Sequence, residues 1–196
     1  MKTGLFFGTF NPVHLGHLGL ARWFLGHTDL DEIWFVVSPH NPFKKKDDLL
    51  GEDDRLALCR LAVQGQKNIL VSDEEFQLPK PSLTIRTLER LQGKHPEQEF
   101  VLLIGEDNLR VFHLWAEYSK ILDEWEVWVY PRMASSSEKA SPEDWVLRHP
   151  HLKKIEAPQF PISSTQIREA VKHGHPIVDF VTEAVAASIH KNKFYG

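Results

Sequence analysis

Ten residues near the amino terminus, Gly8 to His17 (GTFNPVHLGH), constrain this chain more than any other stretch. An apolar run, Leu5-Phe6-Phe7, leads into them, and Leu18, Leu20, Ala21, Phe24 and Leu25 follow with helical periodicity. That order reads as strand, tight turn, helix. Gly8 and Gly16 permit close backbone approach, and Pro12 stiffens the turn between them. A helix start presents unpaired N–H groups and a partial positive charge, which suits a phosphate. His14 and His17, three residues apart, can face one bound group from that start. An imidazole donates a hydrogen bond to a phosphate oxygen and, when protonated, offsets charge that develops there. The stretch therefore reads as a phosphoryl-handling site.

Histidines spaced His-x-x-His also occur in metal sites and on solvated surfaces. No Glu lies between these two and no Cys or carboxylate cluster is near, so metal ligation is set aside. Neither the Walker A pattern nor G-x-G-x-x-G occurs, so the common nucleotide-binding loops are not in use. The chain of 196 residues is expected to form a single domain over 1–196. A net charge of −4 gives no basic face for nucleic acid. No signal peptide or membrane span is read, and the lone Cys59 fits a reducing compartment, so the expected location is cytoplasmic.

GTFNPVHLGH resembles the (G)-G-[ST]-F-[DN]-P-x-H-x-G-H motif of the nucleotidylyltransferase superfamily with an HxGH site. Within it, the chain most resembles the bacterial nicotinate-nucleotide adenylyltransferase branch. Phe7 departs from the pattern, standing where many relatives have a second glycine. The resemblance implies an α/β fold, a Rossmann-like open parallel sheet with helices on both faces, of the nucleotidylyltransferase type. It also implies that Gly8, Thr9, Phe10 and Gly16 shape the nucleotide site while His14 and His17 act in catalysis.

Asp31 to Val37 reads as a second strand, Glu52 to Val63 as a helix with an apolar face, and Asn68 to Val71 as a third strand. The loop Ser38 to Asp48 holds Lys44, Lys45 and Lys46. Their ordinary reading is a solvated face; the resemblance places one of them, with Lys44 as the candidate, on the phosphates. Ser82 reads as the N-cap of a helix from Leu83 to Leu91. The stretch PSLTIRTLERL resembles the family's P-S-[YF]-T-x-x-T-L, which implies that Ser82, Thr84 and Ile85 help to receive the nicotinate end of the acceptor. Leu83 replaces the usual aromatic, and Arg86 stands where an acidic residue is frequent.

Glu99 to Ile104 (EFVLLI) has the continuous apolar character of a strand buried on both faces, and it ends in Gly105-Glu106-Asp107-Asn108. Open α/β sheets bind ligands beyond the carboxyl ends of their strands, where strand order reverses. As the fourth strand of a 3-2-1-4-5 sheet, this one would end beside the first. The glycine-histidine turn and GEDN would then be opposite lips of one crevice. By its resemblance to I-G-x-D-x-L, the stretch places Gly105 and Asp107 on the nucleotide substrates; otherwise Asp107 is a carboxylate at a helix start. Phe112, Trp115 and Ile121-Leu122 lie in a helical region matching F-x-x-W-x-x-x-x-x-I-L. Trp115 reads either as core packing or as a stack for an electron-poor pyridine ring.

Trp125 to Tyr130 reads as a fifth strand, Pro131 to Pro142 as a polar surface loop near the site, and Lys153 to Glu156 as one more short strand. In PISSTQIREAV, Pro161 to Val171, Ser163 or Ser164 can cap a helix. This stretch resembles I-S-S-T-x-I-R, which implies that Ser163, Ser164, Thr165 and Arg168 hold the β- and γ-phosphates of a nucleoside triphosphate. A guanidinium fork suits that task. A last helix is read at about Val178 to His190.

Together the resemblance implies transfer of the AMP moiety of ATP to nicotinate mononucleotide, with Mg²⁺ carried on ATP. Neither nucleic acid nor membrane is expected as a partner, and a homo-oligomer is left open. The alternatives are another phosphate acceptor, nicotinamide mononucleotide or phosphopantetheine, and a nucleotide-binding regulator without turnover.

Overall fold

Six parallel strands form one sheet: β1 (Lys2–Gly8), β2 (Glu32–Val37), β3 (Ile69–Ser72), β4 (Glu99–Gly105), β5 (Glu126–Tyr130) and β6 (Leu152–Lys154). Their order is β3-β2-β1-β4-β5-β6 in a computed structural model that describes residues 1–39, 49–132 and 144–196. Phe6 of β1 is in register with Phe35 of β2 on one side and Leu103 of β4 on the other. The order reverses between β1 and β4, so the ends of these two strands flank the switch point.

Alternation along the strands builds two cores, because successive side chains leave a strand on opposite faces. Phe6, Val101, Leu103, Trp128 and Tyr130 join one buried cluster; Leu5, Leu102, Ile104, Val127 and Val129 join the other. The first cluster is covered by α1 (Leu15–His27), α2 (Glu52–Ala62), α7 (Ser164–Lys172) and α8 (Glu183–Asn192). The second is covered by α3 (Thr84–Lys94), α4 (Glu106–Arg110), α5 (Tyr118–Glu124) and α6 (Asp144–Leu147). Helices thus lie on both faces, as the resemblance implies. Phe24 of α1 is fully buried and contributes about 1.5–3 kcal/mol through burial.

Several boundaries differ from the sequence reading, and three of the differences have a clear cause. The last helix starts at Glu183 rather than near Val178, because Thr182 caps it by accepting the Val185 N–H at 3.4 Å. Strand β6 covers Leu152–Lys154 instead of Lys153 to Glu156, since its pairing with β5 ends at Val129. Helix α3 starts at Thr84 with Leu83, not Ser82, at the N-cap position. Among the described residues no helix is long and apolar enough to cross a membrane.

Candidate active site

At the switch point lies a crevice of about 490 Å³. The motif turn lines it with Gly8, Thr9, Phe10, His14, Gly16 and His17; the end of β4 adds Asp107 and Asn108; the start of α7 adds Ser163 and Ser164. The two lips expected from sequence therefore face each other. Of the other expected residues, Gly105, Thr165 and Arg168 lie outside this lining, as do Ser82, Thr84, Ile85 and Trp115. Lys44, with Lys45 and Lys46, lies outside the described residues, as does 133–142 of the serine-rich stretch.

Close packing fixes the two histidines. Their rings stack with centroids 3.6 Å apart. A Cβ at position 16 would sit 3.0 Å from His14 Nδ1, so Gly16 makes room for the His14 ring over the first turn of α1. His17 Nδ1 accepts the His14 backbone N–H at 3.2 Å. A ring nitrogen that accepts an N–H has its lone pair engaged, so the neutral His17 ring carries its proton on Nε2 and donates from there. Beneath them Phe10, at φ +45°, stacks on Phe35 at 5.1 Å and meets His17 edge-on at 5.0 Å. Left-handed backbone at a bulky residue is strained, and this aromatic packing holds it.

The charge expected from His14 is not there. Burial, with Arg132 as a second cause, holds His14 down at about 3, so at neutral pH it is an uncharged donor. Positive charge at the crevice comes instead from Arg132, a residue the sequence reading missed. Arg132 lines the crevice just beyond β5 and pairs with Asp107 at 3.2 Å. Its signal was available, because it follows a strand's carboxyl end on the same edge as GEDN. At position 105 a Cβ would meet Asp107 Oδ1 at 2.4 Å, so glycine there lets the carboxylate fold back toward Arg132.

The start of α7 is tied to the motif turn. Ser163 Oγ accepts the Gln166 N–H at 3.2 Å, which settles the cap on Ser163. Ser164 Oγ donates to the Pro12 carbonyl at 2.9 Å. Two helix starts, of α1 and α7, thus converge on one crevice with their positive ends, which suit phosphate; the α1 start already donates its Leu15 N–H to the Phe180 carbonyl at 2.8 Å. Arg168 does not reach in beside them. Its Nη1 donates to the Asn11 carbonyl at 3.0 Å, and it braces the turn from behind. Asn11 is held further by Tyr195, whose hydroxyl donates to Asn11 Oδ1 at 3.0 Å.

A second missed residue is Arg55, fully buried on α2. Its guanidinium donates to the carbonyls of Thr9 and Ser38 at 2.7 Å, Pro39 at 2.6 Å and Leu50 at 2.9 Å. Buried charge is tolerable because carbonyl dipoles take up its donors. It locks the motif turn to the end of β2. The spacing Arg55, Cys59, Ala62 (i, i+4, i+7) puts the arginine on the apolar face of its helix, which was the legible clue.

The residues expected at the acceptor belong to the other face of the sheet. Leu83 and Trp115 pack against the second cluster, and Ile85 is buried within it. Trp115 lies 5.3 Å from Phe112 and stays partly exposed. Leu83 offers α3 no side-chain cap. The Ser82 hydroxyl, expected to cap, is committed to Glu75 at 3.2 Å. Neither residue before α3 therefore caps its first-turn N–H groups.

A parallel sheet whose first strand delivers stacked histidines to a switch-point crevice defines the class, an α/β nucleotidylyltransferase-type domain. The chain belongs to the Cytidylyltransferase-like family, which it matches over residues 5–170. It is 45% identical over 195 residues to a Flavobacterium johnsoniae protein named "Probable nicotinate-nucleotide adenylyltransferase", covering 100% of this chain and 99% of that one. A Bacteroides fragilis protein of the same name is 47% identical over 184 residues, covering 94% and 89%. A solved Plasmodium falciparum nicotinic acid mononucleotide adenylyltransferase, complexed with NaAD, shares the fold, with a TM-score of 0.78 at 19% identity over 99% of this chain and 97% of that one.

Proposed function

We propose that this protein is a nicotinate-nucleotide adenylyltransferase, with residues 1–196 acting as one domain. It joins the AMP moiety of ATP to nicotinate mononucleotide and releases pyrophosphate and nicotinate adenine dinucleotide. The observation that carries the reading is the stacked His14–His17 pair at the mouth of α1, facing Ser163 and Ser164 at the mouth of α7. The names of its relatives support it.

A phosphate monoester is largely dianionic at neutral pH and attacks another phosphorus without a general base. The protein's work is then alignment and charge stabilisation. The 5′-phosphate of the acceptor attacks the α-phosphorus of ATP in line; one P–O bond forms as the bond to pyrophosphate breaks. His17 donates from Nε2 to the α-phosphoryl oxygens, and His14 acts beside it as a neutral donor. The α7 start receives the leaving pyrophosphate, while Arg168 keeps the turn seated against it. Among the described residues no cluster of three or more His, Cys, Asp or Glu is placed to hold a metal. Mg²⁺ would enter with the ATP substrate and offset the charge of its phosphates.

The acceptor side is the uncapped start of α3, where the Thr84 and Ile85 N–H groups receive the nicotinate carboxylate and Trp115 stacks on the pyridine ring. Incubation with ATP and nicotinate mononucleotide tests the reading. Pyrophosphate and the dinucleotide should appear in equal amounts. Release of neither product would contradict it, as would a requirement for another acceptor.

A further inference from the structure

Glu75, in the short 3-10 turn Glu74–Gln77, is 3% exposed. Its carboxylate is surrounded by hydroxyls. Oε1 accepts from Thr87 Oγ1 at 3.1 Å, Oε2 from Ser82 Oγ at 3.2 Å, and Ser38 supplies another side-chain hydrogen bond. A buried carboxylate is costly unless its oxygens are satisfied, and these hydroxyls satisfy them. Their placement is what matters. Ser82 lies two residues before α3 and Thr87 lies in its first turn, so the two oxygens of one carboxylate grip the helix start from both sides.

The grip is anchored on the motif strand. The Ser38 N–H donates to the Gly8 carbonyl at 2.8 Å, and the Ser38 carbonyl accepts from Arg55 at 2.7 Å, whose guanidinium also holds Thr9. A continuous chain of hydrogen bonds thus runs from the histidine turn through Ser38 and Glu75 to the start of α3. Leu83, at its N-cap position, gives that start no side-chain cap.

We propose that Glu75 is a positioning residue for acceptor recognition: it clamps Ser82 and Thr87 so that the Thr84 and Ile85 N–H groups keep a fixed place relative to the histidine turn. The inference rests on the adenylyltransferase reading for the identity of the acceptor. It does not rest on it for the clamp itself.

The test compares Glu75→Leu, Glu75→Gln and wild type by steady-state kinetics and by amide hydrogen exchange. Glu75→Leu should raise the KM for nicotinate mononucleotide about tenfold or more while the KM for ATP stays within about twofold. Amides of residues 82–88 should exchange faster, and those of 8–17 should not change. Glu75→Gln should recover most of the loss, because its carbonyl oxygen still accepts from Thr87 and its NH₂ donates to the Ser82 oxygen. An unchanged acceptor KM with unchanged exchange would overturn the proposal. So would equal rises in both KM values with faster exchange in both segments, the mark of a general loss of structure. If Glu75→Leu does not fold, Ser82→Ala/Thr87→Val is put to the same readouts with the same expectations. If wild type releases no pyrophosphate from ATP and nicotinate mononucleotide, the adenylyltransferase reading fails, and exchange alone decides the clamp. A rise confined to 82–88 then supports it, and no rise overturns it.

Discussion

The α1/α7 side of the sheet builds its part of the site from side chains locked by packing, whereas the α3 side offers backbone at a helix start. On the first side, stacked imidazoles, the Phe10 wedge and the Arg55 and Arg168 braces each fix one another. On the second, the proposed acceptor site is a helix start whose flanking Ser82 and Thr87 hydroxyls donate to one buried carboxylate. The difference suits the two proposed partners. ATP must be handled where charge moves, which calls for rigid donors aimed at the reacting phosphorus. The acceptor's pyridine end takes no part in bond making, so it needs only to be chosen and seated.

If the two sides divide the work in this way, variants should separate by substrate. The largest effect is expected for His17→Ala, which removes a donor to the transition state. Its kcat should fall on the order of 10²–10³ with the acceptor KM nearly unchanged. A near-normal kcat would remove the histidine from the chemistry.

Arg168→Ala leaves the Asn11 carbonyl without its guanidinium partner, a loss of about 1–3 kcal/mol. Because Asn11 lies in the turn proposed to seat ATP, kcat/KM measured with ATP varied should fall roughly tenfold to a hundredfold. Arg168→Lys should recover it only in part, because a flexible ammonium stem holds the Asn11 carbonyl less firmly than the pre-organised guanidinium. Full recovery with lysine would reduce the brace to a matter of charge.

The packed side should also be the acid-sensitive one. The folded chain keeps His14 unprotonated down to about pH 3, whereas the unfolded chain binds that proton near 6.5. Stability is therefore fully present above 6.5 and falls as the pH drops toward 3. At pH 5 the loss is about 2 kcal/mol. Urea unfolding of wild type and His14→Gln at pH 7.5 and pH 5 checks this. The variant should lose less stability on acidification, and equal losses would contradict the buried neutral ring.

The smallest effect belongs to the other side. Trp115→Ala should weaken the mononucleotide by about 0.5–1.5 kcal/mol, the worth of a stacked pair beyond burial, and leave the KM for ATP unchanged. A change in the ATP term would mean that the two sides are not separate.

The two sides also differed in how much the sequence revealed. The switch-point lips were legible because Gly8–His17 and GEDN each follow an apolar strand, and strand order then places them together. What stayed hidden was long-range and polar. Nothing local in the sequence ties Arg168 to Asn11, 157 positions away, or Ser82 to Glu75. Ser82 looked like a cap because serine before an apolar-periodic run usually is one. A buried carboxylate seven residues earlier took its hydroxyl instead. The neutral state of His14 was equally out of reach, since it depends on burial and on Arg132 just beyond β5.

In the proposed function, α3 reads the acceptor through backbone donors. A carboxylate satisfies such N–H groups, whereas an amide brings its own NH₂ and leaves a donor unpaired at a cost of about 1–3 kcal/mol. The direct measurement is kcat/KM for nicotinate mononucleotide against nicotinamide mononucleotide, at saturating ATP. A preference for the acid of roughly tenfold to a hundredfold is the predicted result. Equal efficiency with the two mononucleotides would contradict it.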